Sequence, residues 1–269
     1  MIELTAGDMK TEKTQALIVP VCEDKDIYDN RALSTLIEGA KGMPEFKGEK
    51  GQELIFYNDE NFAAERVILV GLGKPEKADN EAFRSAMGQA VKNCIAKKFS
   101  EVLMVMPSEK KLSRTVQDIA EPMMEGASLA NYIFDAYKEE KKQKPLEKIR
   151  LLVKTSHIRK LEDSAKRISL ICSGTHLARE WINTPSNDKS PEQLAARISG
   201  LAEKEALKIT LLREDELKEK GFGALLAVSA GSDKPPCMLI LEYRHPKAKK
   251  TVAFIGKGIT FDSGGLNIK

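Results

Sequence analysis

Three side chains near the end of the sequence, Lys257, Asp262 and Lys269, have the types and spacing to hold or assist a metal ion. Lys257 closes an apolar run read as a strand, and Asp262 lies five residues further on in a loop, so the two can converge on one point. A carboxylate and a neutral amine are both competent ligands for a divalent cation, and a nearby cation itself favours the neutral amine. Gly264 and Gly265 permit a sharp turn with space beside it. Lys269 then brings positive charge to a reacting carbonyl oxygen. The same spacing also fits an ordinary strand and turn with solvated lysines, because short motifs match by chance.

Other chemistries find less support. The three histidines, His157, His176 and His245, form no H-E-x-x-H pattern, and His176 with Glu180 one helical turn away reads as a locally paired or solvated helix face. No G-x-S-x-G elbow is present. Cys22, Cys94, Cys172 and Cys237 are scattered, and they read as buried thiols of a reducing compartment. Gly71 and Gly73 lack the third glycine of a dinucleotide fingerprint, since Glu76 stands there. A phosphate-binding loop ending at Lys257 fails because Thr251 and Gly258 stand where it needs a glycine and a hydroxyl residue. With 43 Lys and Arg against 40 Asp and Glu, the net charge of +3 gives no case for nucleic acid or an anionic membrane as partner. The acidic N-terminus and the absence of a membrane-length apolar run place the protein in the cytoplasm.

The elements that must position such a site follow from periodicity. Residues 15–21, 66–70, 101–106 and 148–153 are apolar, β-branched runs expected of buried strands. Residues 80–97 carry a helical stripe through Phe83, Met87, Ala90, Val91 and Ile95. Strands alternating with helices predict an α/β domain with a largely parallel sheet. Residues 112–137 read as one long helix or two short ones, and the charged stretch 138–144 as a solvated loop. A second long helix over 157–183 is expected to connect a domain over 1–156 to another over 184–269. In the latter, Ser190 and Pro191 open a helix as N-cap and first residue, residues 221–228 form a glycine-hinged turn, and 208–212, 238–243 and 251–256 read as strands.

The run 256–269 resembles the signature of the leucyl aminopeptidase (cytosol aminopeptidase) family over many positions in order. Residues 178–187 with Pro191, Leu194 and Ala195 resemble its connector helix and the N-x-P-x-N segment after it. Residues 223–228 with Gly231, Pro235, Pro236 and 241–243 resemble the start of its catalytic domain, and 125–138 the last helix of its N-terminal domain. The resemblance implies a macro-domain-like N-terminal α/β domain joined by the long helix to the first part of an α/β metallopeptidase domain. It implies an enzyme that removes N-terminal residues such as leucine from peptides, using two divalent metal ions, zinc or manganese, and assembling as a homo-hexamer. Carried over by position, Lys257 and Asp262 match metal ligands, and Lys269 matches the lysine that polarises the scissile carbonyl. The family's next metal-binding aspartate, and a later segment that supplies two more ligands and an arginine holding a bicarbonate, have no counterpart up to Lys269. The 269 residues alone are therefore expected to bind metal weakly, to hydrolyse little peptide and to expose apolar surface around 251–256. The alternative is a non-catalytic binding or assembly module built on the N-terminal α/β domain.

Overall fold

The computed structural model describes residues 2–205 and 207–261. Two compact units divide the chain, Met1–Leu177 and Ala178–Lys269.

The first unit is built on a six-stranded sheet. Its strands are β1 (Glu3–Thr5), β2 (Leu17–Cys22), β3 (Glu53–Tyr57), β4 (Arg66–Gly73), β5 (Glu101–Val105) and β6 (Lys148–Leu152), in the order β1-β6-β5-β2-β4-β3. All neighbours pair in parallel except the antiparallel edge pair β3 and β4. The interior strands β2, β4, β5 and β6 are covered on both faces, and this is why their sequences are continuous apolar runs rather than alternating ones.

Between strands run α1 (Arg31–Lys41), α2 (Asn80–Ala96), the short α3 (Glu109–Leu112), α4 (Val116–Ala130) and α5 (Thr155–Asn183). Asn30 and Asp79 cap α1 and α2 by accepting from Leu33 N and Ala82 N, and Thr115 with Asp118 forms a capping box on α4. The expected stretch 112–137 holds one helix, α4, which begins at Val116 and ends at Ala130, the short α3 closing at Leu112 just as the stretch opens. Ser113, in the left-handed conformation at φ 53°, terminates α3 before Thr115 restarts the chain as α4. The long helix expected over 157–183 is α5, which begins two residues earlier, at Thr155.

Pro20 lies inside β2, where its missing N–H must be accommodated. Leu103 N donates to Ala16 O, so the even-numbered residues of β2 face β5. The β2–β5 pairing covers only Leu17 and Ile18, and Pro20 lies two residues beyond its end, where the missing N–H breaks no ladder bond. The Tyr28 hydroxyl donates to the Pro20 carbonyl at 2.7 Å and satisfies the acceptor that a strand would otherwise have used.

The second unit holds α6 (Pro191–Lys204), β7 (Lys208–Leu212), α7 (Glu214–Glu219), α8 (Gly223–Ser229) and β8 (Met238–Glu242). Ser190 and Gln193 form a reciprocal capping box with Pro191 in the first turn, as the sequence predicts. The glycine-hinged turn is Gly221, at φ 74°, and it leads into α8. β7 and β8 pair antiparallel, Lys208 opposite Glu242. Residues 251–256 form no strand, contrary to the expectation. Phe254 and Ile255 are 95% and 93% exposed, and a β-branched run becomes a strand only when a neighbouring ladder takes up its backbone groups.

Candidate active site

Of the three side chains picked out for chemistry, Lys257 lies within the described residues, and Asp262 and Lys269 lie outside them, as do Gly264 and Gly265. Lys257 is exposed, and its carbonyl accepts from Ile259 N at 3.0 Å in a tight turn. A Cβ at Gly256 or Gly258 would meet nothing within 4 Å, so these glycines flank Lys257 with open space rather than with packed neighbours. The segment hangs from β8, whose Glu242 accepts from Lys208 at 2.9 Å and from Arg244 at 3.1 Å. Those two cations hold the Glu242 carboxyl below the usual range, Lys208 contributing most. Among the described residues, no three His, Cys, Asp or Glu side chains gather closely enough to hold a metal ion. The donors that fit a divalent cation in this run are thus the Lys257 amine and the Asp262 carboxylate, one of which is placed.

The comparisons supply the context for this segment. A family model described as the cytosol aminopeptidase family, catalytic domain, matches residues 176–269, and the N-terminal domain model of the same family matches residues 6–141. The chain belongs to the cytosol aminopeptidase family. Among relatives, a probable cytosol aminopeptidase of Syntrophotalea carbinolica is 35% identical over 272 residues, covering 96% of this chain and 54% of its own length. The chain therefore spans about half the length of the curated relatives it matches. Among solved structures, a tomato leucine aminopeptidase mutant superposes with a TM-score of 0.81 at 24% identity, over 98% of this chain and 55% of that one. The bottromycin maturation enzyme BotP in complex with Mn gives a TM-score of 0.69 at 22% identity, over 87% of this chain and 46% of that one. Both share the fold of this cytosol aminopeptidase family member: mixed α/β, with a mostly parallel sheet.

A second gathering of polar side chains, which the sequence did not reveal, lies in the first unit beyond the carboxyl ends of β2, β5 and β6. Lys154 Nζ sits 3.1 Å from Asp29 Oδ2 and 3.3 Å from Glu109 Oε2. His157 Nε2 stands 3.6 Å from Glu109 Oε1, beyond hydrogen-bond reach. The Ser108 hydroxyl is close enough to Asp29 to be the main influence holding that carboxyl below its usual range, though it is not aligned in a hydrogen bond. Burial alone would raise Glu109, but its own backbone amide and the Lys154 ammonium outweigh burial and hold it low. Lys154 is raised in turn, its two carboxylate partners overcoming the opposing effect of burial.

Proposed function

We propose that the chain contributes the first part of the active site of a metal-dependent aminopeptidase that releases N-terminal residues such as leucine from peptides. The observation that carries this reading is the match of the catalytic-domain family model to 176–269, a span that includes the whole lysine and aspartate run. In this reading residues 1–156 form the N-terminal domain, 157–183 the connector and 184–269 the start of the catalytic domain. Lys257 and Asp262 are metal ligands. A divalent pair bound there, zinc or manganese, supplies Lewis acidity and an activated water. The role carried to Lys269 is that its ammonium would stabilise the charge that builds on the scissile carbonyl oxygen. Manganese in the BotP complex supports the choice of metal by analogy of fold. A cytoplasmic homo-hexamer and a bicarbonate base belong to the same reading, and nucleic acid and membrane do not.

The test is release of leucine from a leucyl amide by the protein that carries this chain, with Mn²⁺ or Zn²⁺ supplied. Lys257→Ala and Asp262→Ala are expected to lower metal content. Lys269→Ala is expected to keep the metal and lower kcat by about 10²- to 10³-fold, the usual loss for one oxyanion donor. Residues 1–269 by themselves offer two donors, fewer than the four that a closed zinc site takes, and are expected to bind metal weakly and turn over little substrate. No leucine release with either metal refutes the reading.

A further inference from the structure

A cavity of about 280 Å³ opens in the first unit beyond the carboxyl ends of β5 and β6, against Tyr28–Asn30 of the loop that follows β2. From β2 the chain crosses toward β4, and from β5 it crosses the other way toward β6, so the strand order reverses between β2 and β5, and the loops that follow both strands line the cavity. In open α/β sheets a crevice outside the carboxyl ends of the strands at such a point is where ligands are received. The volume lies at the lower end of small-molecule pockets, which run from roughly 300 to 1,000 Å³, and it suits an amino acid rather than a dinucleotide.

The lining has two characters. Leu33, Met106 and Val153 contribute an apolar wall, while Asp29, Ser108, Glu109, Lys154 and His157 contribute polar groups. Ser108 is 4% and His157 6% exposed, yet Ser108 Oγ and His157 Nδ1 have no hydrogen-bond partner. Each such buried atom costs on the order of 1–3 kcal/mol when left unmade, so an occupant that pairs with both is favoured. Two carboxylates flanking one ammonium, at 3.1 and 3.3 Å from Lys154 Nζ, disfavour a simple anion and match a ligand that carries both signs.

We infer that this cavity binds a free α-amino acid with an apolar side chain, at a site separate from the Lys257 run. The ligand's ammonium is received by Asp29 and Glu109, its carboxylate by Lys154, the Ser108 hydroxyl and His157 Nδ1, and its side chain by the Leu33, Met106 and Val153 wall. The choice of an amino acid rests on the aminopeptidase reading, since that reaction produces one; the cavity and its unpaired atoms do not depend on it. Such a site lets a product of peptide hydrolysis be sensed by the N-terminal unit.

The experiment is titration calorimetry of the full 269-residue chain in chelator with L-leucine, N-acetyl-leucine and inorganic phosphate, paired with ¹⁵N spectra of the His157 ring. Leucine is expected to give saturable heat and to shift the His157 Nδ1 resonance. N-acetyl-leucine, which lacks the ammonium, is expected to bind at least about tenfold more weakly, which corresponds to about 1.4 kcal/mol. Asp29→Asn, at a half-exposed position, is expected to weaken leucine to a similar degree, whereas Lys257→Ala leaves it unchanged. Absence of both heat and ring shift overturns the inference, as does equal binding of N-acetyl-leucine, preference for phosphate, or loss of binding in Lys257→Ala. Because the titration is run in chelator it does not read the metal site, so leucine binding here together with no leucine release in the metal-supplied assay counts only against the proposed function.

Discussion

Gly126→Ala should destabilise the first unit even though alanine is the better helix former. Gly126 lies in α4 where it crosses α2, and a Cβ built there falls 2.1 Å from the Arg84 carbonyl oxygen and 2.8 Å from its carbon. Ordinary contact begins near 3.4 Å, so the two backbones must separate by about 1 Å, and neither is the free end of a flexible side chain. The interface they would open includes Phe83, Met87, Met123 and Ala127, all essentially buried, and Arg84 Nε donates to Glu125 at 2.9 Å beside it. Overpacking of this kind costs about 1–3 kcal/mol, and the rigid backbone on both sides argues for the upper end. The helix preference for alanine returns about 1 kcal/mol, leaving a net loss of about 2 kcal/mol. For a unit of this size that lowers Tm by roughly 4–8 °C. The matched control is Gly174→Ala in α5, at an exposed site where a Cβ meets nothing within 4 Å; it should gain up to about 1 kcal/mol. Urea and thermal unfolding followed by circular dichroism measure both. If the two variants shift the midpoint in the same direction, or Gly126→Ala leaves it unmoved, the account of α2–α4 packing is wrong.

Three further outcomes are expected. Arg150, 8% exposed on β6, is held by Glu12 at 2.6 Å and by the Lys13 carbonyl, so Glu12→Ala strands a buried charge and should cost about 3–5 kcal/mol in urea unfolding, far more than an exposed pair; a loss below about 1 kcal/mol would show that the guanidinium finds water instead. Burial pushes the Cys94 thiol up to about 12 and Cys22 to about 11, so a thiol-specific dye at neutral pH should label the half-buried Cys237 first and reach these two only on unfolding. Rapid labelling of all four cysteines in folded protein would contradict it. Asp29 and Glu109 are held below their ordinary pKa values; the stability they contribute is present above the unfolded carboxylate range and is lost as pH falls through their lowered native values. Glu109→Gln should therefore be less stable than the parent at neutral pH, with the gap narrowing from about pH 5 to pH 3; a gap that widens on acidification reverses the sign of this linkage.

What the sequence disclosed depended on where each element lies in the sheet. The interior strands β2, β4, β5 and β6 were legible because burial on both faces demands unbroken apolar runs. The two elements that escaped, β1 and β3, are the sheet's edges: β1 has three residues, and β3 is half-buried along most of its length, so neither yields a strong pattern. Helix α1 also escaped, although Asn30 followed by Leu33, Ile37 and Ala40 is a cap and a helical stripe. In the second unit α6 was legible from its capping box, whereas 251–256 was read as a strand from composition that only pairing can realise. Lys257, Asp262 and Lys269 stood out because they are close together in the chain. Asp29, Glu109, Lys154 and His157 did not, since they follow three different strands and meet only through the order β6-β5-β2.

Pro20 connects that order to function. A donor at this position would let β2 and β5 continue their ladder, as they do at Leu17 and Ile18, and the strands would stay together to their ends. Proline removes the donor and Tyr28 takes the acceptor, so nothing draws the two strands together beyond Ile18. The loops that follow then diverge, and Ser108 N donating to Ile27 O at 2.8 Å ties them only after they have cleared the gap. Tyr28, fixed by its bond to Pro20, is one of the residues lining the crevice, so the backbone at Pro20 sets one of its walls. Beside that wall stand the two unpaired buried atoms, Ser108 Oγ and His157 Nδ1, and with the charges at the mouth they decide what kind of molecule can enter.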